Sequence, residues 1–250
     1  MLTYYNECIY KEELESFLKT FKTKHYYSSE SFDKLENYQY EEIKSGDAMM
    51  ANDSGSFNDV FYVKDMAIKV HSRFDGECCF EEFEFEFGTF PTAAIYDYEV
   101  LLALGNNPYM PRLLAHIESD FTHMSVVEKI QGKSLRDIEF REMIDFGKLK
   151  TFLIDVHTFI FSKNWIPMDL SASNIFVTPE GVYKLIDFSC FCYEGDFENI
   201  YDVPESTISN INEVKSNKTS LEKHVEKIIE NINICLAYKE KDFAFLQNLK

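Results

Sequence analysis

A chain of 250 residues and 29.3 kDa, 45% of them hydrophobic, can bury one or two connected cores, which excludes a disordered polymer and a large multidomain assembly. Its formal charge of −18, from 43 acidic against 25 basic residues, excludes a protein whose main task is to grip a phosphate backbone, so no nucleic-acid partner is expected. The six cysteines (Cys8, Cys78, Cys79, Cys190, Cys192 and Cys235) lack the spacing of a zinc site or a small disulfide scaffold and fit reduced thiols in a cytosol.

From the N-terminus, MLTYYNECIYKEELESF has no basic stretch followed by an apolar run. No later stretch approaches the ~18 uninterrupted apolar residues of a membrane span. The expected compartment is therefore the cytoplasm, with no membrane partner. Leu14, Phe17, Leu18 and Phe21 fall at helical spacing, and Glu12 and Glu13 sit in the first turn, where the helix dipole favours them. They predict an amphipathic helix in an N-terminal extension over residues 1–39. Residues 26–40, rich in Tyr, Ser and Asn, read as loop. Tyr40 to Val70 reads as short strands broken at Ser45-Gly46 and Asp53-Ser54-Gly55, which predicts a small antiparallel sheet.

Phe83 to Phe87 alternates with period two and predicts a strand ended by Gly88 and Pro91. A helix is expected from Thr92 through Glu99, Leu101 and Leu102 to Gly105. Arg112–Ile117 and Met124–Ile130 follow as strands, the second closing at Gln131-Gly132. Leu149, Phe152, Leu153, Val156, Phe159 and Ile160 mark a long helix. Ile175–Val177, a turn at Pro179-Glu180-Gly181 and Val182–Ile186 predict a β-hairpin. The last helix is expected to start at the capping box Thr219-Ser220-Leu221-Glu222 and to bury Leu221, Val225, Ile228, Ile232 and Leu236. Strands first and helices later predict an α+β fold with two unlike lobes.

The chemistry concentrates in Asp169-Leu170-Ser171-Ala172-Ser173-Asn174 and, after the hairpin, Asp187-Phe188-Ser189. Phosphoryl transfer needs a carboxylate to orient the attacking hydroxyl and take its proton. It also needs oxygen ligands that hold Mg²⁺ on the phosphates. Asp169 can supply the first, and Asn174 with Asp187 the second. This constellation resembles the protein-kinase superfamily, whose catalytic loop reads H-R-D-x-x-x-x-N and whose metal motif is D-F-G. Upstream, Gly55-Ser56-Phe57-Asn58-Asp59-Val60 resembles its glycine-rich hairpin, and Ala67-Ile68-Lys69-Val70 its V-A-I-K strand.

The resemblance implies a two-lobed kinase-like fold, with a β-rich N-lobe over 40–130 and a shortened helical C-lobe over 131–250. It implies ATP and Mg²⁺ as cofactors. Gly55, Ser56, Phe57, Val60 and Ala67 would surround the nucleotide and Lys69 would meet its phosphates, with Glu99 holding Lys69 and Asp97 as the rival carboxylate. Val126 to Leu135 resembles the hinge, where the backbone of Glu128 and Ile130 would meet adenine and Val127 would limit pocket depth. Asp169 would be the base, and Asn174 and Asp187 the metal ligands.

Several positions depart from the family pattern. Pro167-Met168 replace His-Arg before the loop Asp, so activation by pairing a phosphorylated loop with that arginine is not expected. Ser171 stands where Ser/Thr kinases carry a lysine. Ser189 replaces the glycine of D-F-G and is expected to restrain that segment. Of the family's three glycines only Gly55 is kept. Val203-Pro204-Glu205 is either a remnant of A-P-E or a plain loop. The short stretch after Ser189 is similar to minimal effector kinases that bacteria inject into host cells and to certain phage kinases. The expectation is a monomeric Ser/Thr protein kinase acting on a protein hydroxyl, with a basic host or regulatory protein as partner. A small-molecule phosphotransferase of the aminoglycoside or choline kinase type, or a pseudokinase that only binds, stays open.

Overall fold

The computed structural model describes residues 2–5, 8–25, 49–50, 58–72, 82–85, 88–91, 97–118, 122–137, 144–196 and 203–247. In chain order the strands and helices are β1 (Leu2–Tyr4), α1 (Lys11–His25), β2 (Met49–Met50), β3 (Asn58–Val63), β4 (Met66–Ser72), β5 (Glu82–Phe85), β6 (Gly88–Pro91) and α2 (Asp97–Leu104). There follow β7 (Leu113–Glu118), β8 (Thr122–Glu128), β9 (Lys133–Ser134), α3 (Phe146–Phe161), β10 (Trp165–Pro167), β11 (Ile175–Val177), β12 (Tyr183–Leu185), β13 (Phe191–Tyr193), α4 (Glu205–Ser216) and α5 (Lys218–Gln247). Among the described residues all strand pairings are antiparallel, so helix and antiparallel sheet are mixed as the sequence predicts. The chain divides into two compact units, Met1–Arg73 with Arg112–Lys129, and Phe74–Pro111 with Ile130–Lys250.

The first unit is a sheet of order β1-β7-β8-β4-β3-β2 with α1 packed on it. Side chains alternate across a strand, so Phe61, Val63, Met66, Ile68, Val70, Met124 and Val126 share one face. On that face they bury against Leu14, Phe17 and Leu18, the stripe that the helical spacing of α1 predicted. The Phe17 and Phe61 rings lie 5.5 Å apart. β1 pairs with β7, Leu2 opposite Ile117, so the first residues are built into the sheet and do not trail from it.

In the second unit, α3 buries Leu149, Phe152, Leu153, Val156 and Ile160, while α5 buries Leu221, Val225, Ile228, Ile232 and Leu236. The rings of His157 on α3 and His224 on α5 meet edge to face at 5.3 Å. A second, three-stranded sheet has the order β12-β11-β9. Gly132 leads into β9, and a Cβ there would lie 2.6 Å from the carbonyl oxygen of Val177, so only glycine lets β9 reach β11.

Four expectations change. The segment from Gly88 to Pro91 does not end a strand; it is β6 and pairs back on β5. α5 starts one residue before the expected capping box, because the Asn217 side chain accepts from the Thr219 (2.9 Å) and Ser220 (3.3 Å) amides and caps the helix itself. Ahead of it lies α4, which the sequence reading missed: its apolar stripe is thin, with only Thr207, Ile211 and Val214 buried. Pro204 opens α4, its carbonyl accepting the amides of Thr207 and Ile208, so Val203-Pro204-Glu205 is a helix start and not a plain loop. The loop expected over 26–40 lies outside the described residues, and so do the first residues of the helix expected from Thr92.

Candidate active site

In the second unit the loop Asp169–Asn174 is fastened by its own short polar side chains. The Ser171 amide donates to Asp169 Oδ1 (3.1 Å). The Asn174 amide nitrogen donates to Asp169 Oδ2 (2.9 Å) and to the Asp169 carbonyl (3.2 Å). These bonds turn the chain sharply and fix the carboxylate of Asp169 on both oxygens. With its nitrogen committed, Asn174 has its carbonyl oxygen left as the end that can ligate. The hydroxyls of Ser171 and Ser173 are 2.8 Å apart. Leu170 and Ala172, alternating with the polar residues, are buried and anchor the loop from below.

The β11–β12 hairpin returns the chain beside this loop, since the Ile186 amide donates to the Asn174 carbonyl (3.0 Å). Asp187 follows directly, and the Met168 amide donates to the Cys190 carbonyl (3.2 Å), which closes the segment against the residue before Asp169. Asp169, Asn174 and Asp187 are thus gathered in one place by a hairpin. Phe188 and Phe191 are fully buried with rings 5.4 Å apart.

Burial raises the pKa of Asp169 above the ordinary carboxylate range, and the nearby charge of Asp187 pushes the same way, against the lowering effect of the Ser171 and Asn174 bonds. Cys190 is pushed up to about 12, by burial first and then by the charges of Asp169 and Asp187, so its thiol stays protonated. The charge of Asp187 reaches Asp169, and carboxylates with a neighbouring amide are the hard, oxygen-donor kind of group that could hold Mg²⁺. That ion takes one or two carboxylates and completes its shell with water and phosphate oxygens. Asn174 and Asp187 are the residues that could hold it.

Of the two carboxylates offered by α2, Asp97 is fully buried and accepts the Phe188 amide (3.3 Å), whereas Glu99 is exposed. The bond from Phe188 to Asp97 and the one from the Ser189 hydroxyl to Asp187 Oδ1 (2.8 Å) were not foreseen. The signal for the second was the hydroxyl placed two residues after an Asp. The first has no local signal, since it joins residues 91 positions apart.

In the first unit, register brings Val60, Ala67, Lys69 and Val127 onto the sheet face opposite the α1 core. Val60 and Ser125 flank Lys69 on the neighbouring strands, and Ala67 lies opposite Val127. Lys69 is 6% exposed, Ser125 fully buried, and Ala67 and Val127 are buried, while Val60 is half-buried. Ser125, missed in the sequence, is a small polar residue between the apolar Met124 and Val126. His116 continues the same row beyond Ser125 and bonds the Tyr5 hydroxyl at 2.7 Å. Glu128 and Ile130 are half-buried; the Glu128 amide donates to the Arg112 carbonyl, and its side chain pairs with the Arg112 guanidinium at 3.1 Å. Gly55, Ser56 and Phe57 lie outside the described residues.

No family model matches the sequence, and no curated protein matches it. Among solved structures it is similar to a co-crystal structure of WbdD and the kinase inhibitor LY294002. That match has a TM-score of 0.41 and 16% identity, over 71% of this chain and 44% of that one. A medium-resolution structure of the bifunctional kinase-methyltransferase WbdD matches with a TM-score of 0.44 and 16% identity, over 69% of this chain and 42% of that one. The chain spans less than half the length of these two structures. Among the described residues no helix is long and apolar enough to cross a membrane.

Proposed function

We propose that the chain is a kinase-like phosphotransferase that uses ATP and Mg²⁺ and acts as a Ser/Thr kinase on a protein hydroxyl. The observation that carries this reading is the hydrogen-bonded pair of Asp169 and Asn174 with Asp187 returned beside it, assembled by one turn and one hairpin in the order that phosphoryl transfer requires. Asp169, with both oxygens fixed, orients the acceptor hydroxyl and takes its proton; its raised pKa brings it nearer to the working pH of a general base. Asn174 and Asp187 hold Mg²⁺, which when bound neutralises charge on the phosphates. Lys69 is assigned to the α/β-phosphates, with Val60, Ala67 and Val127 sharing its face of the sheet. The fully buried Asp97 maintains the Phe188 segment. Glu99 keeps the role of partner to Lys69 only if Glu99→Gln, and not Asp97→Asn, impairs ATP use.

The test is transfer from γ-labelled ATP by the wild type and Asp187→Ala, with protein and metabolite panels as acceptors. Label on protein that vanishes in Asp187→Ala supports the reading. Label on metabolites alone moves the acceptor class, and Ser171 in place of a lysine favours that second outcome. ATP binding with no turnover on either panel leaves a pseudokinase. Cys8, Cys190, Cys192 and Cys235 form no disulfide, in keeping with action in a reducing cytoplasm, including that of a host into which the protein is delivered. The charge of −18 suits a basic protein partner, and binding to such a partner should weaken steeply between low and high salt. Salt-independent binding would remove the electrostatic part of this reading.

A further inference from the structure

Glycine is the customary residue after Asp-Phe because it lets the segment swing; here the position is Ser189, and its side chain is committed. Its amide donates to Asp187 Oδ1 at 3.0 Å and its hydroxyl donates to the same oxygen at 2.8 Å. Any residue but proline at 189 can supply the amide, and that single bond leaves the carboxylate free to rotate about it. Only serine or threonine adds a second donor on the same atom, and two donors from different directions set the plane of the carboxylate. The flanking residues hold the backbone as well. Phe188 is fully buried, its amide is bound by Asp97, and its carbonyl accepts the Phe191 amide (3.1 Å), while the Cys190 carbonyl accepts the Met168 amide. Every one of these bonds joins residues of this chain.

We propose that the Ser189 hydroxyl is a positioning group for the Asp187 carboxylate, setting it for a divalent cation before nucleotide arrives. The inference rests on the metal role assigned to Asp187 above. It makes the loop a preset element, in which the hydroxyl replaces the flexibility of glycine with a fixed carboxylate. Threonine can do the same; alanine keeps the Cβ and the amide but loses the hydroxyl, and glycine loses both restraint and hydroxyl.

The experiment measures Mn²⁺ affinity of the full chain by electron paramagnetic resonance in the presence of the non-hydrolysable ATP analogue AMP-PNP. Removing a group that orients a metal ligand weakens metal binding by about tenfold or more, so Ser189→Ala and Ser189→Gly should each raise the Mn²⁺ Kd by about that factor. Ser189→Thr should stay near the wild type. A purely structural serine would instead lower Tm and leave the Mn²⁺ Kd of the folded protein unchanged. Wild-type affinity in Ser189→Ala, or equal loss in alanine and threonine variants, overturns the proposal while the assignment of Asp187 stands. No Mn²⁺ binding by the wild type overturns that assignment, and the proposal with it. As a second measurement, the Phe188 and Ser189 amides should exchange slowly with deuterium in the nucleotide-free protein; exchange as fast as an open loop overturns the preset state whatever the metal data.

Discussion

Lys69 is buried and Asp169 half-buried, and different kinds of bond hold them. Lys69 stands on β4 between β3 and β8, and its place is set by pairing with Val60 and Ser125, the second of which lies far away in sequence. Asp169 stands in a turn whose bonds come from Ser171 and Asn174, no more than five residues away. Where a site residue is placed by long-range register, it depends on the stability of the whole sheet. Where it is placed by local side-chain bonds, chemistry and stability come apart, and one can be changed without the other.

The largest expected effect tests the local side of this contrast. Asp169→Asn should lower phosphoryl transfer by roughly 10³-fold, the middle of the range for a lost general base, with the unfolding midpoint in urea unchanged. A collapse of stability in this variant would mean that the turn also supports the fold. The next tests the sheet. Ile68→Ala, next to Lys69 and fully buried on the core face, should cost about 3 kcal/mol in urea unfolding and weaken ATP binding only as far as the first unit unfolds. Loss of ATP binding in the fully folded variant would show that Lys69 is less tied to the core than its register implies.

The third prediction concerns the scaffold behind the loop. His157 is fully buried; its Nδ1–H donates to the Leu153 carbonyl (2.7 Å), and its ring meets Phe161 and His224. Burial, and then His224, lower its pKa from the ordinary 6.5 to about 3, against the Leu153 bond. Between those values the unfolded chain binds a proton that the folded chain refuses. Stability is therefore whole above pH 6.5 and falls as the pH drops through the window toward 3. From pH 7 to pH 5 the loss should be about 2 kcal/mol. Urea unfolding at the two pH values checks this, and His157→Phe should flatten the difference. An equal slope in that variant would place the acid sensitivity elsewhere.

Much of this was legible from residue order. α1 and α3 were found because their apolar positions repeat at helical spacing, and β11–β12 because a Pro-Glu-Gly turn separates two short apolar runs. β10 and β13 were not foreseen: they are three residues each, like β11 and β12, but pair across a long separation with no tight turn between them to mark a hairpin. β1 was missed for the same reason. α4 was missed because a helix that buries few apolar side chains reads as loop until a neighbour covers it.

The sequence by itself determined that Asp169, Asn174 and Asp187, the residues proposed to carry the chemistry, lie close together, because they are joined by contacts local in the chain and by one short hairpin. It also determined that Lys69 lies on a strand. Only the tertiary structure decided that the N-terminal segment is part of the first unit's sheet, and that Val60, Lys69 and Ser125 form one row across it. It alone put Asp97 rather than Glu99 in the interior, against the Phe188 amide. These are pairings between segments far apart in the chain, fixed by the burial of shared apolar faces, and no local pattern encodes the partner across such a distance.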